Sequence, residues 1–325
     1  MSEKAVSFCK KILPGVSRSF ALSIPMLDEI MRVPVTIIYL QDRLLDSFED
    51  EISDKDISME RRKEMMDQVV ELFRPDNYHA EKTAAEITSF AEFMPVDPLK
   101  EMVANAVLLR EAYDSLEDFV KEVSYKWLSE MNLGMKKYLS KEINTFLDLD
   151  EYCYYVAGTV GGFLTDLLVY YSYVSERDYD ILLANYNTSG QFLQKVNLIR
   201  DIREDIKTKK KHYWPLKSLN ITIDGLLEES NEEKGMLALE KMISDVKTHI
   251  PGLLHYYNSI PLEMPGYRNF YSLNNVLGLA TIEEMEGNPA VLYGNEPVKV
   301  GKLTFLNIMK NPEKSFLEKI EKYNG

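Results

Sequence analysis

The sequence predicts an all-α protein. Apolar residues recur at helical spacing over long segments, while the strict alternation typical of strands is almost absent. Glycine and proline, which interrupt helices, number only 15 and 13 in 325 residues. Hydrophobic residues make up 45% of the chain, which is enough for a large core. Together these features favour helices packed around a shared interior.

The periodicity predicts each helix in turn, with breaks where proline and polar residues interrupt it, at "RPDNYH", "MPVDP" and "YWPLKSLNI". The predicted helices span residues 3–12, 25–50, 58–74, 80–93, 97–120, 125–140, 148–173, 176–207, 222–248, 250–260, 267–287 and 300–323.

No linker rich in glycine, proline or serine divides the chain, and no tandem repeat is visible. Although the length is compatible with two domains, we therefore expect a single domain over residues 1–325.

Composition excludes several classes of protein. A net charge of -14 argues against a nucleic-acid partner, because no basic stripe is available to neutralise phosphates. Two cysteines and four histidines do not provide a disulfide scaffold or a thiolate zinc site. Neither a signal peptide nor a run of about 18 apolar residues is apparent, so we expect a cytoplasmic protein.

The segment "IYLQDRLLDSFEDE", residues 38–51, is predicted to form a helix with two distinct faces. On one side lie four carboxylates within an arc of about 100°, together with Tyr39 and Arg43. These carboxylates belong to Asp42, Asp46, Glu49 and Asp50. The opposite, apolar side comprises Ile37, Leu40, Leu44 and Phe48. We expect the apolar side to enter the core.

A second segment, "FLQKVNLIRDIREDI", has the same organisation. Its polar arc comprises Gln194, Asn197, Asp201, Glu204 and Asp205, and its apolar arc comprises Leu198, Ile199, Ile202 and Ile206. Both segments contain the spacing D-x-x-E-D.

Each acidic cluster alone could be a solvated helix surface. Two matching clusters favour cation binding, because carboxylates at this spacing repel one another. Oxygen ligands suit Mg²⁺ or Ca²⁺, and the absence of a calcium-loop pattern favours Mg²⁺ that bridges carboxylates to a phosphate or diphosphate. Arg18, Arg43 and Arg200 could bind the remaining phosphate oxygens, or could instead form ion pairs with their acidic neighbours.

Five motifs together resemble the head-to-head prenyltransferases, the squalene and phytoene synthases. They are "SRSFALSIP", "DRLLDSFEDE", "YCYYVAGTVGGFL", "LQKVNLIRDIREDI…YWP" and "NFYSLNNVLGLATI". The first acidic motif, the "YWP" region and the last motif are more similar to the squalene branch. The resemblance implies an isoprenoid-synthase-type helical bundle around a central cavity, with the two acidic motifs facing each other at its mouth.

The resemblance also implies roles for individual residues. Asp46, Glu49 and Asp50 would bind Mg²⁺ for one farnesyl diphosphate, while Asn197, Asp201, Glu204 and Asp205 would form the other metal cluster. Of these, Asp46, Asp50, Asp201 and Asp205 would be catalytic, together with Tyr152, whose phenol would assist the first half-reaction. Substrate and cofactor contacts would come from Ser17, Arg18, Ser19, Phe20, Tyr39, Arg43, Gln194, Arg200, Phe270 and Lys299.

The implied reaction joins two farnesyl diphosphates through presqualene diphosphate, and NADPH then reduces the product to squalene. Dehydrosqualene or phytoene synthesis, which lacks the NADPH step, is the alternative within the family. A non-catalytic helical binding protein is the alternative outside it. The oligomeric state and the pathway, such as sterol or hopanoid biosynthesis, stay open.

Several positions depart from the family pattern or have two interpretations. Asp42 is an additional carboxylate, Tyr271 replaces a smaller residue, and Gly301 replaces an arginine expected near NADPH. Gly158 and Gly161 would allow close approach of a hydrocarbon chain or of another helix. The basic run 207–212 could cover the diphosphates or contact anionic lipid, and a lipophilic substrate and product favour peripheral membrane contact.

Overall fold

The computed structural model describes residues 3–17, 19–52, 55–209 and 211–323. Within these ranges every regular element is a helix, so the all-α prediction is confirmed. None of the described helices combines the length and apolarity that are required to cross a bilayer.

The α-helices of the first half are α1 (Glu3–Val16), α2 (Phe20–Ser23), α3 (Glu29–Asp50), α4 (Met59–Leu72), α5 (Ala80–Thr88), α6 (Asp97–Ala104), α7 (Ala106–Asp114), α8 (Asp118–Tyr138), α9 (Phe146–Cys153) and α10 (Thr159–Tyr171). Those of the second half are α11 (Glu176–Asn185), α12 (Thr188–Arg200), α13 (Ile202–Glu204), α14 (Leu216–Leu219), α15 (Ile223–Leu226), α16 (Glu232–Lys247), α17 (Ile250–Asn258), α18 (Pro265–Met285), α19 (Ala290–Tyr293), α20 (Lys302–Lys310) and α21 (Pro312–Glu321). Short 3₁₀ helices occur at Ile24–Met26, Ala91–Phe93 and Glu229–Asn231, and π-helices at Tyr154–Gly158 and Asp205–Lys209.

Some predicted helices are interrupted. The segments predicted at 97–120 and 300–323 as single helices are each divided, at Asn105 and Asn311 among other positions. The Asn311 side chain accepts a hydrogen bond from the Lys314 N–H and is followed by Pro312, so it caps the start of α21. A local cap therefore ends a helix that the apolar pattern alone would continue.

The chain groups into two compact units, which are described separately. One contains the residues up to Ser140 and Gly162–Ser172, and the other contains Lys141–Gly161 and the residues from Tyr173 onward. The single-domain organisation expected from the sequence stays a prediction.

In the first unit, α3 packs against α1, α4, α7 and α8. The predicted apolar side of α3 is buried, with Leu40, Leu44 and Phe48 fully inaccessible to solvent. Burial of such side chains stabilises the fold by about 2 kcal/mol each, so this side fixes the rotation of α3 about its own axis.

In the second unit, α12 packs against α9, the π-helix Tyr154–Gly158, α16, α17 and α18. Its buried side includes Phe192 and Ile199, and α18 in turn packs closely on α21. The helix that carries the second acidic motif is thus surrounded by helices of its own unit.

Two glycines allow close backbone packing in this second unit. A Cβ atom at Gly161 would lie 2.0 Å from the Tyr186 carbonyl oxygen, and one at Gly190 would lie 2.1 Å from that of Ala157. The sequence left open whether a hydrocarbon chain or another helix approaches Gly161. The structure shows protein backbone there.

We expect Gly161→Ala to lower the free energy of unfolding by about 2 kcal/mol, because the added methyl group clashes with rigid backbone. Gly301→Ala is the matched control, since its Cβ would be 4.0 Å from the nearest atom, Thr304 Oγ1. Thermal unfolding followed by circular dichroism measures both. Equal melting temperatures for the two variants would contradict the close packing at Gly161.

Candidate functional site

The first acidic motif occupies the C-terminal end of α3. Asp46 and Asp50 are partly exposed, as expected for the polar side. Glu49, in contrast, is only 3% exposed, because it follows the buried Leu45 by one helical turn. The prediction that all four carboxylates are presented on the polar side is therefore wrong for Glu49.

Arg43 neutralises part of this acidic segment. Its Nη1 donates to Asp46 Oδ2, and its Nη2 donates to Glu51 Oε1 at 2.6 Å. Burial alone would lower the pKa of Arg43, but the charges of Asp46 and Glu51 raise it, so the guanidinium stays charged. The ion-pair interpretation of Arg43 is thus observed.

A second arginine, on the neighbouring helix α4, stabilises the last turn of α3. Arg62, on α4, is 2% exposed, and its Nη1 donates to the carbonyl oxygens of Glu49 at 2.9 Å and Ile52 at 3.3 Å. The last turn of α3 itself contains no basic residue. Arg62 therefore supplies the positive charge that the C-terminal end of a helix favours.

Two carboxyl groups of this segment, those of Asp46 and Asp42, have raised pKa values. Burial raises the pKa of Asp46; Arg43 opposes this effect, while Asp50 and Glu51 add to it. Burial, followed by the charge of Asp46, raises the pKa of Asp42 to about 8. Asp42 is therefore mostly protonated near neutral pH in the metal-free protein.

Tyr39 connects the first acidic helix with the segment that precedes α2. Its phenol hydrogen-bonds with the Ser17 side chain, and its ring lies 5.0 Å from that of Phe20. Ser17 Oγ also accepts from the Phe20 N–H at 3.2 Å. Ser19 is exposed, and Arg18 lies outside the described residues. Three predicted contact residues are thus brought together here.

The second acidic motif begins where α12 ends. Arg200 holds Asp201 in a bidentate pair, with Nε–Oδ1 and Nη2–Oδ2 distances of 2.8 and 2.6 Å. Burial would lower the pKa of Arg200, but Asp201, Asp205 and Glu204 raise it. Asn197 and Gln194 are partly exposed on α12, whereas Glu204 is exposed and Asp205 is 5% exposed.

Tyr152 lies near the end of α9 and is 2% exposed. Its ring stacks on that of Tyr213, with centroids 4.7 Å apart and an interplanar angle of 14°. The neighbouring Trp214 donates from Nε1 to the Leu198 carbonyl oxygen at 3.0 Å, which fixes the "YWP" segment on α12. Stacking and anchoring together hold the Tyr152 ring in one orientation.

Irregular helical geometry occurs close to Tyr152 and at Asp205, two predicted site residues of this unit. One π-helix begins two residues after Tyr152, and the other begins at Asp205. The sequence predicted continuous helices over 148–173 and 176–207, which is wrong at these points. Short π-helices are rare in proteins and are frequent at functional sites.

The remaining predicted contact residues, Phe270 and Lys299, differ in their burial. Phe270 is 4% exposed, and the centroid of its ring lies 6.1 Å from that of Tyr267. Tyr271 donates its hydroxyl to the Leu253 carbonyl oxygen at 3.1 Å, as a core residue does. Lys299 is exposed in the segment before α20. The basic run 207–212 includes Lys210, which lies outside the described residues.

Among the described residues, no three histidine, cysteine, aspartate or glutamate side chains converge as a metal site would require. The donor chemistry nevertheless fits Mg²⁺, which commonly takes only one or two carboxylates and completes its shell with water and phosphate oxygens. Within the first unit Asp46 and Asp50 are donors of this kind, and within the second unit Asp201 and Asp205 are.

Sequence reasoning missed a buried lysine on α12 and its two carboxylate partners, which lie on α9 and α16. Lys195 is 1% exposed and pairs with Asp150 and Asp245. Its position between Phe192 and Ile199, at the spacing of the buried side, is a signal that could have identified it.

A sequence model of the squalene/phytoene synthase family matches residues 13–304 of the chain. Squalene synthase 8 from Panax ginseng is 31% identical over 299 residues, covering 90% of this chain and 71% of that protein. Squalene synthase LSS from Botryococcus braunii is 27% identical over 308 residues, covering 92% of this chain. The match spans 62% of the length of the Botryococcus braunii protein.

Solved structures show the same fold. The complex of TcSQS with the ligand BPH1237 has a TM-score of 0.84 and 29% sequence identity, covering 99% of this chain and 90% of that chain. A dehydrosqualene synthase in complex with a ligand has a TM-score of 0.61 and 20% identity, covering 97% of both chains. The predicted isoprenoid-synthase-type fold is thereby confirmed.

We expect Asp42→Asn to stabilise the protein at alkaline pH. The pKa of this carboxyl is about 8 in the folded protein and about 4 in an unfolded chain. Between these values only the folded state holds the proton, so the stability contributed by Asp42 declines as pH rises. Asn removes this decline and should add about 2 kcal/mol above pH 8, less than the full shift because water screens a half-buried group.

Chemical denaturation of metal-free protein at a series of pH values measures the difference between Asp42→Asn and the wild type. Exposed Asp180 provides the control variant Asp180→Asn. A difference that does not grow with rising pH would contradict the assignment.

Proposed function

Because this chain belongs to the squalene/phytoene synthase family, we propose that it is a squalene synthase that joins two farnesyl diphosphates head to head and reduces the product with NADPH. The observation that supports this proposal is the accumulation of carboxylates at the C-terminal end of α3, where burial, together with the charges of Asp50 and Glu51, raises the pKa of Asp46 against the opposing effect of Arg43. The similarity of the motifs to the squalene branch supports the choice of product.

The charge at the end of α3 supports cation-assisted diphosphate binding. Carboxylates are disfavoured at the negative end of a helix dipole, and the raised pKa of Asp46 reflects burial together with repulsion from Asp50 and Glu51. When bound there, Mg²⁺ would relieve this repulsion and neutralise charge that develops on the leaving diphosphate. Asp46 and Asp50 would hold it in the first unit, and Asn197, Asp201 and Asp205 in the second.

Arg43 and Arg200 are the guanidinium groups best placed to act with these carboxylates. Each already donates through two nitrogens to carboxylate oxygens, and the same planar fork matches phosphate oxygens. We therefore assign them to orientation of the diphosphate groups.

In the first half-reaction, the carbon–oxygen bond of one allylic diphosphate breaks and diphosphate departs with the electron pair. The resulting carbocation alkylates the double bond of the second molecule, and loss of a proton closes the cyclopropane of presqualene diphosphate. We assign stabilisation of the cation to the electron-rich rings of the stacked Tyr152–Tyr213 pair, and the Tyr152 phenol is our candidate for the proton transfer.

In the second half-reaction, diphosphate departs again, and a hydride quenches the rearranged cation to give squalene. NADPH would supply this hydride and leave as NADP⁺. Lys299 and Lys302 are exposed in a stretch, residues 297–310, that contains three lysines and no acidic residue, which fits the phosphate groups of the cofactor.

One departure supports a second candidate function. Gly301 occupies the position of the arginine that the squalene branch places near NADPH, so dehydrosqualene synthesis without reduction is the alternative. In that case the final cation would lose a proton instead of gaining a hydride.

Incubation with farnesyl diphosphate and Mg²⁺ distinguishes these two functions. With NADPH we expect squalene as the major product, and without NADPH we expect presqualene diphosphate or dehydrosqualene to accumulate. Gas chromatography with mass spectrometry identifies the hydrocarbons, and liquid chromatography with mass spectrometry detects the diphosphate intermediate. A product spectrum that NADPH leaves unchanged would reject the reductive assignment.

We expect Asp46→Asn to lower the rate of diphosphate release by about 100-fold or more, because it removes a charged ligand that acts on the leaving group. Asp67→Asn is the control in the same unit, since Asp67 is an exposed carboxylate that pairs with Lys136. A coupled phosphate assay measures both variants under saturating substrate. Equal rates for Asp46→Asn and the wild type would refute a catalytic role for the first motif.

A further inference from the structure

Lys195 is charged and yet buried inside the second unit. Its side chain is 1% exposed, on the side of α12 that also buries Phe192 and Ile199. An unpaired ammonium in such a place would be strongly destabilising. Its partners therefore determine what this residue does.

Two carboxylates from different helices hold the ammonium. Lys195 Nζ lies 2.5 Å from Asp150 Oδ1 on α9 and 2.6 Å from Asp245 Oδ2 on α16. Such charge-assisted hydrogen bonds are short and directional. One side chain thus ties together three helices of the second unit.

The cluster adjoins both candidate motifs of this unit in sequence. Asp150 precedes Tyr152 by two residues, while Lys195 immediately follows Gln194 and precedes Asn197 by two residues. The Lys195–Asp150 pair therefore joins the helix that carries Tyr152 to the helix that carries the second acidic motif.

The contacts of Lys195 limit what it can do. Its side chain is 1% exposed, and its Nζ donates to one carboxylate on α9 and one on α16. Any contribution to the reaction must therefore come through the groups that it holds in place.

We propose that the Lys195–Asp150 pair is a positioning element that sets the placement of Tyr152 relative to Asn197 and Asp201. This inference rests on the proposed function, in which these residues act on the same substrate. A small displacement of a reacting group can lower the rate substantially without weakening substrate binding. Asp245, on α16, also binds the ammonium, but α16 does not carry a candidate motif.

The variants Asp150→Asn and Asp245→Asn test this proposal as a matched pair. Each is isosteric, and each leaves Lys195 with one carboxylate, but only Asp150 lies on the helix of Tyr152. We expect Asp150→Asn to lower kcat by about 10- to 100-fold with little change in KM. For Asp245→Asn we expect a lower melting temperature and a kcat within about threefold of the wild type.

Hydrogen–deuterium exchange provides a readout that does not depend on activity. We expect faster exchange in residues 146–158 of Asp150→Asn than in the same residues of Asp245→Asn. Equal exchange and equal kcat in the two folded variants would overturn the positioning role. An inactive wild-type protein would instead refute the proposed function, while the exchange comparison would still decide whether the pair holds α9.

Discussion

Helix α3 terminates in carboxylates at the end where its own carbonyl groups already create a negative potential, and the neighbouring arginines are arranged around this charge. Arg62 donates to the carbonyl groups of the last turn and beyond, while Arg43 holds Asp46 and Glu51. Leu40, Leu44 and Phe48 on the other side are buried. The helix therefore cannot rotate to expose its carboxylates more fully to water. The segment is therefore held in an orientation that favours cations.

The ion pairs of the second unit are arranged differently. The bidentate Arg200–Asp201 pair lies at the partly exposed end of α12, whereas Lys195 itself is buried while its partners Asp245 and Asp150 reach solvent to increasing extents. Exposed pairs exchange partners at small cost, while breaking a buried pair leaves an uncompensated charge. One helix thus combines a partly exposed ion pair at its end with a buried lysine in its middle.

Much of the fold could be predicted from the sequence, because helical periodicity reports directly on burial. The apolar side of α3 and the end of that helix at Asp50 were predicted from spacing alone. The breaks at Asn105 and Asn311 were missed because side-chain caps and local backbone geometry, rather than apolar spacing, end those helices. Both π-helices were missed because a single turn of altered hydrogen bonding scarcely disturbs the pattern.

The candidate site was predicted less completely. Local spacing and family resemblance identified the acidic motifs and Tyr152, and Arg43 and Arg200 were correctly recognised as neighbours of carboxylates. The partners of Lys195 are 45 and 50 positions away, and no local pattern encodes such pairings. Likewise, the stacking of Tyr213 on Tyr152 depends on how the "YWP" segment folds back onto α12.

The π-helix Tyr154–Gly158 also constrains how this chain can diverge. It lies between Tyr152 and Gly161, and each residue added to or removed from an α-helix turns everything beyond it by about 100°. A one-codon insertion here would turn Gly161 away from the Tyr186 backbone and bring Val160 toward it, whereas a deletion would bring Gly162 into that place but still turn every later side chain. Descendant sequences should consequently tolerate substitutions within these five positions far more readily than any change in their number.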